Sequence, residues 1–486
     1  MHNWLKQTFV AFVPGPEDSQ LDRTFVSSLL GQFRALGHTV QDLPDEHTDI
    51  LLTTAPFGKP LSWRKALLFT GRARFKYRHS PMVFTLIRVA PDELERQLAY
   101  FQRALEKDKP DPMDYNFAGL APDAYKVLHE QGRRGGPILA LERLLQGQSK
   151  CINILLLVGD QEINTVYHFD LVGAHPATVL EDNPASFGEI VLRMVTRVST
   201  HEVTAHEVVG EPIPKQAWEA ARTPAYMLEA ARKLDKRHFF TDTVRIYELV
   251  NVPAVSDTVA SQYSEGCFTS WDPDLNAMIA TITGSARPVA KGNITEDDLA
   301  VIVGVRPDGA GALVRRVEGK RNDPPSSEAV EMIGVDGLLP KIMLDLDGMR
   351  RAEVPVVRSK LHGHRGISSY NPELVEFVSM DPSYYEYPVT CATEAQARGV
   401  MAAFSRSQAL QNPEDPRQIV FTILPTHGVL IVEKWVQGSA PFQTIWEYFD
   451  QGHLVLDNHV PQGPVQFVER AGQRVLTDPA RDVRFA

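Results

Sequence analysis

The chain has 486 residues, 43% of them apolar, and a formal net charge of −11. That length exceeds one ordinary core and predicts two or three domains, and the intermixed acidic balance argues against a nucleic-acid partner held by a basic surface. Three scattered cysteines (Cys151, Cys267, Cys391) exclude a CxxC zinc pair or a disulfide-stapled scaffold, and no run approaches the roughly 20 apolar residues of a membrane span, so a soluble cytoplasmic protein is expected.

The first elements read strand, helix, strand, strand. TFVAFVP (8–14) is an apolar run closed by prolines, and DSQLDRTFVSSLLGQFRALG carries apolar residues at helical spacing up to a capping Gly37. TVQDL and DILLTT follow as strands, then a helix near 92–107 and the strand CINILLLVGD (151–160). This alternation predicts an α/β, Rossmann-like domain with a parallel sheet. No GxGxxG or GxxxxGK[ST] accompanies it. GRRGGP (132–137) either meets a phosphate or forms a turn, and His168, Asp170 and His175 make a loose polar cluster. HEVTAHE (201–207) is not a zinc-protease helix. Its histidines, His201 and His206, are five apart, about 140° around a helix, where that motif needs four. The proline-containing stretch 211–232 marks the domain boundary, giving domains 1–225 and 226–486.

The second half opens with a helical pattern from 240 to 262. CFTSW (267–271) and NAMIATIT (276–283) then read as a hairpin about an Asp-Pro-Asp turn. ITEDDLAVIVGV is a capped acidic turn followed by a buried strand, and ALVRRVEGK is a further strand. RNDPPSSEAVEM starts a helix, with Ser327 as a candidate cap. Ser326, Ser327 and the free N–H groups of that first turn could equally receive an anion. EVPVVRSKLHGHRG is a strand whose His362 and His364, two apart, share a face. His427 stands at the break between two apolar strands. Two imidazoles form either a polar turn or part of a metal site; three, with a fourth position open, are the donor set of a catalytic divalent metal.

In order along the chain stand TG (283–284), ITEDDLAVI, VEGK (317–320), PPSSE (324–328), HGH (362–364) and THGVLIVE (426–433). Over about 240–450 the sequence thereby resembles the class II aldolase/adducin family, of the zinc-dependent fuculose-phosphate aldolase type. The resemblance implies an α/β/α domain with a central, mostly antiparallel sheet. It implies Zn²⁺, or another divalent metal, on His362, His364 and His427, and Glu328 as catalytic acid/base. Gly266, Cys267, Thr283, Gly284, Ser326 and Ser327 would line the substrate pocket. It further implies a homo-oligomer, often a tetramer, acting on a sugar or sugar-phosphate, with no nucleic-acid or membrane partner.

The chemistry expected is lyase chemistry: a C–C bond of a hydroxy-ketone breaks or forms through an enediolate, with the metal as Lewis acid. Glu328 would move the proton, its pKa raised by partial burial. Related epimerases carry aspartate at that position, which favours aldol chemistry here. Epimerase, dehydratase or decarboxylase activity on the same scaffold is the alternative, as is an adducin-like interaction protein without catalysis. Two features depart from the family. Cys267 replaces an asparagine whose amide would donate to a phosphate, and Glu328 precedes His362 by 34 positions, with DGLLPKIMLDLDGMRRAE as the extra length. The family assigns no role to the N-terminal half.

Overall fold

The computed structural model of the protein describes residues 5–15, 18–45, 47–56, 82–106, 153–169, 177–180, 184–199, 206–237, 239–246, 260–282, 291–307, 309, 311–346, 350–386, 394–425, 427–457, 460–461 and 465–477. The chain is mixed α/β and separates into two compact units, Met1–Thr200 with Thr243–Gln262, and His201–Asp242 with Tyr263–Ala486. Among the described residues no helix is long and apolar enough to cross a membrane.

The first unit holds a seven-stranded sheet in the order β2-β1-β3-β4-β5-β6-β7. Its strands are β1 (Phe9–Val13), β2 (Thr39–Gln41), β3 (Ile50–Pro56), β4 (Met82–Val89), β5 (Asn153–Val158), β6 (Thr165–Phe169) and β7 (Thr178–Val179). The first five strands of that order run parallel, and the last two pairings, β5 with β6 and β6 with β7, are antiparallel. NILLLV in β5 is a continuous apolar run, as a strand covered on both faces requires, and Ile154 through Leu157 are fully buried. Helix α1 (Gln20–Ala35) begins in a capping box between Ser19 and Asp22. It ends at Gly37 (φ +88°), whose N–H donates to Arg34 O while that of His38 donates to Phe33 O. Helix α2 (Pro91–Leu105) follows β4, and α3 (Pro184–Ser199) packs with α1. Phe25, Leu29 and Phe33 of α1 bury with Ile190 and Met194 of α3 against the sheet, each worth about 1.5–3 kcal/mol.

The second unit begins earlier in the chain than the proline stretch suggested. β8 (Glu207–Val208) pairs in parallel with β14 (Ala312–Arg315), and Ile213 bridges Val317. These pairings and the buried Trp218 of α4 (Lys215–Ala220) put residues 206–225 in this unit, not in a domain ending at 225. Helix α5 (Thr223–Lys236) buries Met227, Ala230, Ala231 and Leu234 in the same core. The helix expected from 240 is not formed over its described part, which carries the strands β9 (Thr241–Ile246) and β10 (Ala260–Glu265). Thr241, Thr243, Val244 and Ile246 are β-branched, and that local preference overrides the helical spacing.

A nine-stranded sheet orders β19-β20-β21-β17-β11-β12-β13-β14-β8. Its strands include β11 (Cys267–Asp272), β12 (Ala277–Thr281), β13 (Leu299–Val305), β17 (Val357–Gly363), β19 (Val375–Phe377), β20 (Ile419–Leu424) and β21 (Gly428–Lys434). Only the two edge pairings are parallel. The expected hairpin is β11–β12, and the capped acidic turn before β13 has its box in Thr295 and Asp298. The extra length after Glu328 becomes the end of helix α6 (Ala329–Leu338) and a separate hairpin, β15 (Lys341–Asp345) with β16 (Arg351–Pro355). A four-stranded sheet of β22 (Leu454–Asp457), β18 (Gly366–Tyr370), β24 (Gln473–Thr477) and β23 (Gln466–Arg470) completes the described strands.

Alternation divides the large sheet into two faces. Phe268, Ile279, Val301, Leu361, Phe421 and Ile431 point into the main apolar core with α5. Cys267 stands opposite His362, and Thr269 opposite Lys360, on the other face. Helix α6 covers that face and packs in turn on α7 (Glu394–Phe404) so closely that a Cβ on Gly334 would meet Met401 Sδ at 2.6 Å.

Candidate metal centre

Four side chains from three distant segments meet at one end of that polar face. His362 lies near the end of β17, His364 just beyond it, His427 in the turn from β20 to β21, and Glu328 at the N-cap of α6. The ligand atoms of all four lie within 4.8 Å of one another. The ring centroids of His362 lie 5.3 Å from those of His364 and 5.0 Å from those of His427, and His364 and His427 are 4.4 Å apart. The β20–β21 turn can close over the HGH segment because Gly428 has no side chain: a Cβ there would meet Gly363 O at 2.1 Å. Gly266 (φ +107°) is needed for the same kind of reason, since its Cβ would meet His362 O at 2.7 Å.

The donor set fits a metal ion. His362 is fully buried, and its Nδ1 donates to Val429 O at 3.1 Å; a carbonyl can only accept, so the Nδ1 proton is fixed there. Its Nε2 is buried without a hydrogen-bond partner among the described residues, with Glu328 Oε1 at an ion-pair distance of 3.3 Å. His427 Nε2 does hydrogen-bond the same Oε1, also at 3.3 Å. Donors around one ion about 2.1 Å away stand roughly 3.4 Å apart, so the widest separation here, 4.8 Å, would close by about 1.4 Å around an ion. His364 is half-buried while His362 and His427 are buried, which leaves the open side at His364.

The acid/base expectation is corrected in one respect. Burial alone would raise the carboxyl pKa of Glu328, but the close imidazoles of His362 and His427 outweigh it and hold that carboxyl well below the usual range. Burial lowers the pKa of His362, and Glu328, Glu331 and the Val429 carbonyl more than reverse that, so it lies above its ordinary value. Glu328 therefore stands ionised, ready to accept a proton.

Gly266 immediately precedes β11 and Cys267 opens it opposite His362, and burial first, then Glu328 and Glu331, push the Cys267 thiol well up. It is a neutral thiol. Ser326 donates its N–H to Thr281 O, and Ser327 does not cap the helix; Glu328 holds the N-cap with no side-chain cap bond. Thr283 and Gly284 lie outside the described residues, as do GRRGGP, Asp170, His175 and His201. His168 is buried on β6 with Phe84 edge-on, and His206 Nδ1 accepts from Ala312 N. Two residues escaped the sequence reading. Lys291 is buried with its Nζ 3.5 Å from Ile282 O, and its pKa is lowered by burial against the pull of Cys267 and Glu328. Glu331 is buried with both carboxylate oxygens unpartnered among the described residues. Its spacing of three from Glu328 at a helix start was the available signal.

No protein-family model matches the chain, and neither a curated protein nor a solved structure matches it. Function has to be argued from the site itself.

Proposed function

We propose that the protein is a zinc-dependent lyase of the class II aldolase type, which cleaves or forms a C–C bond in a sugar-like hydroxy-ketone. The observation that carries this reading is the convergence of Glu328, His362, His364 and His427, with an anchored imidazole whose inner nitrogen is unpartnered. An adducin-like scaffold has no use for a buried imidazole nitrogen left unpartnered beside three further metal-ligating side chains.

A divalent ion bound there supplies Lewis acidity toward a carbonyl and its neighbouring hydroxyl. Glu328, ionised and beside the histidines, takes the proton from the hydroxyl on the carbon that leaves as an aldehyde. As that C–C bond breaks, its electron pair passes to the ketone fragment as an enediolate, and the proton returns to carbon. His362, held by Val429, keeps its ring orientation while this happens. Cys267, a buried neutral thiol, offers an anionic end group little, which supports an unphosphorylated substrate. An epimerase, dehydratase or decarboxylase would use the same proton transfer.

The test is metal analysis of the purified protein followed by a screen of free and phosphorylated ketoses and hydroxy-acids. About one zinc per chain and metal-dependent cleavage of a free hydroxy-ketone are expected. A protein that holds no divalent metal at neutral pH would refute the reading. We further propose a cytoplasmic homo-oligomer, for which light scattering at micromolar concentration should give more than one chain per particle.

A further inference from the structure

Helix α6 meets the sheet at three points spaced four residues apart. Glu328 at its start stands 3.3 Å from His362, Met332 Sδ lies 3.9 Å from Cys267 Sγ, and Asp336 meets Lys360. Positions i, i+4 and i+8 form one stripe of a helix. Lys360 and His362 are two apart on β17 and share a face, with Thr269 and Cys267 as their register partners on β11. One stripe of helix thus lies on one stripe of sheet. The metal-binding histidine is at one end and an ion pair at the other.

That ion pair is closed to water. Lys360 Nζ lies 2.6 Å from Asp336 Oδ1 and donates to Oδ2 at 2.7 Å, with side-chain exposures of 0% and 3%. Met278 Sδ, 3.7 Å away, backs the ammonium. Such a pair adds little net stability, because desolvation offsets the attraction. A charge-assisted contact does something an apolar one does not: it fixes direction. The start of α6 has need of that. Its N-cap makes no side-chain cap bond, and Glu331, within its first turn, is buried with unpartnered oxygens. Both features disfavour a helix start at this spot, yet Glu328 is held 3.3 Å from two imidazoles.

We propose that the Asp336–Lys360 pair is a positioning device for the metal centre, fixing the rotation and register of α6 over β17 and so setting Glu328 against His362 and His427. The inference rests on reading the cluster as a metal site.

The test uses the full-length protein and Co²⁺, whose affinity and visible absorption report on the donors around it. In the double variant Asp336→Leu with Lys360→Met, both charges go and the volume is nearly kept, so thermal unfolding should stay within a few degrees of the wild type. Co²⁺ affinity should fall by about 10- to 100-fold, the usual cost of losing a residue that orients a metal site, and the absorption spectrum should change. Asp336→Asn, which keeps shape and one acceptor oxygen, should weaken Co²⁺ in the same direction. Wild-type affinity and spectrum in either folded variant would overturn the positioning role while leaving the metal site standing. Failure of both variants to fold would overturn it too, since the pair would then be a folding element. A wild-type protein that binds no Co²⁺ would instead sink the metal reading, and this inference with it.

Discussion

The two large sheets solve burial in different ways. In the first unit Ile154 to Leu157 of β5 bury with Val10, Ile50, Leu52 and Phe84 under its helices, and the charged groups buried there, Asp22 and Arg197, are hydrogen-bonded to Ser19 and Asn153. In the second unit one face of the sheet is equally apolar, while the other buries Lys360 and His362 at 0% exposure, beneath a helix that carries Glu331 and Asp336. Burying polar groups is unfavourable unless they are paired or ligated. On the second sheet the difference marks the cluster that could hold a metal ion, where we propose the chemistry takes place. The most sensitive probes of that contrast remove single members of the polar face.

The largest effect expected is on the metal. His362→Ala or His427→Ala leaves an incomplete sphere, so metal content after dialysis should fall from about one ion per chain to near none. Full retention in both variants would remove the site. Proton competition gives this a pH signature. Because the folded pKa of His362 is raised above 6.5, the ion must displace a proton at Nε2 at every pH up to some point above that value. Affinity should therefore rise by up to tenfold per pH unit through that range and be lost in acid. A pH-independent affinity between 6 and 8 would contradict the assignment.

Next in size is Glu328→Gln. It keeps the shape and removes the ionised carboxylate, so turnover should drop by about 10²–10⁴-fold. Zinc content at saturating metal should barely change, since the three histidines remain, while affinity should weaken because Glu328 faces two of them. If Glu328 were only a carboxylate at a helix start, the variant would lose about 0.3–1 kcal/mol of stability and no activity.

The difference between the sheets was partly legible in the chain. HGH at a strand end and THG between apolar runs placed His362, His364 and His427 at one sheet end, because strand alternation is a local rule. The apolar runs of β1 and β5 and the helix between Ser19 and Gly37 were legible for the same reason, whereas β4 was not read. What stayed hidden depends on partners far away. The low pKa of Glu328 comes from His362 and His427, which no local pattern joins to it. The unit boundary depends on β8 finding β14, about a hundred residues on. Lys360 read as one more charge beside the histidines until Asp336 was found against it. The strand at 241–246 was lost to a helical spacing that its β-branched residues override.

Glu331→Gln tests the cost of the polar face directly. Burial, with the Glu328 charge adding to it, raises the Glu331 pKa from 4.5 to about 8. For an acid raised on folding, the unfolded chain ionises first as pH rises. Stability is therefore undiminished below about 4.5, declines between there and about 8, and is flat beyond. At 1.36 kcal/mol per unit the penalty at pH 7 is on the order of 3 kcal/mol in the metal-free protein. The glutamine variant should be more stable by about that much at pH 7 and should lose the downward slope. Denaturant melts at pH 5 and pH 7 read both. Equal stability of the two proteins at pH 7 would mean that Glu331 has a partner beyond the described residues.

The smallest effect belongs to the first unit, where removing one polar group far from the cluster should cost only what that group contributes locally. Ser19→Ala breaks the capping box at the start of α1: the hydroxyl no longer accepts from Asp22 N, and the Asp22 carboxylate loses the hydroxyl it accepted from at 2.6 Å. Asp22 keeps its bond from Ser19 N, so half of the box survives. A lost serine cap costs about 1 kcal/mol, and at RT of about 0.59 kcal/mol that is roughly a fivefold change in opening. Amide exchange over the first turn of α1 should accelerate by about that factor, while Phe25, Leu29 and Phe33 hold the rest of the helix. Metal content should be unchanged, because none of the four donors lies in that unit. Exchange at the wild-type rate would show that apolar packing alone fixes the helix start. Faster exchange confined to the first turn would show that a cap in the first unit acts only where it is made.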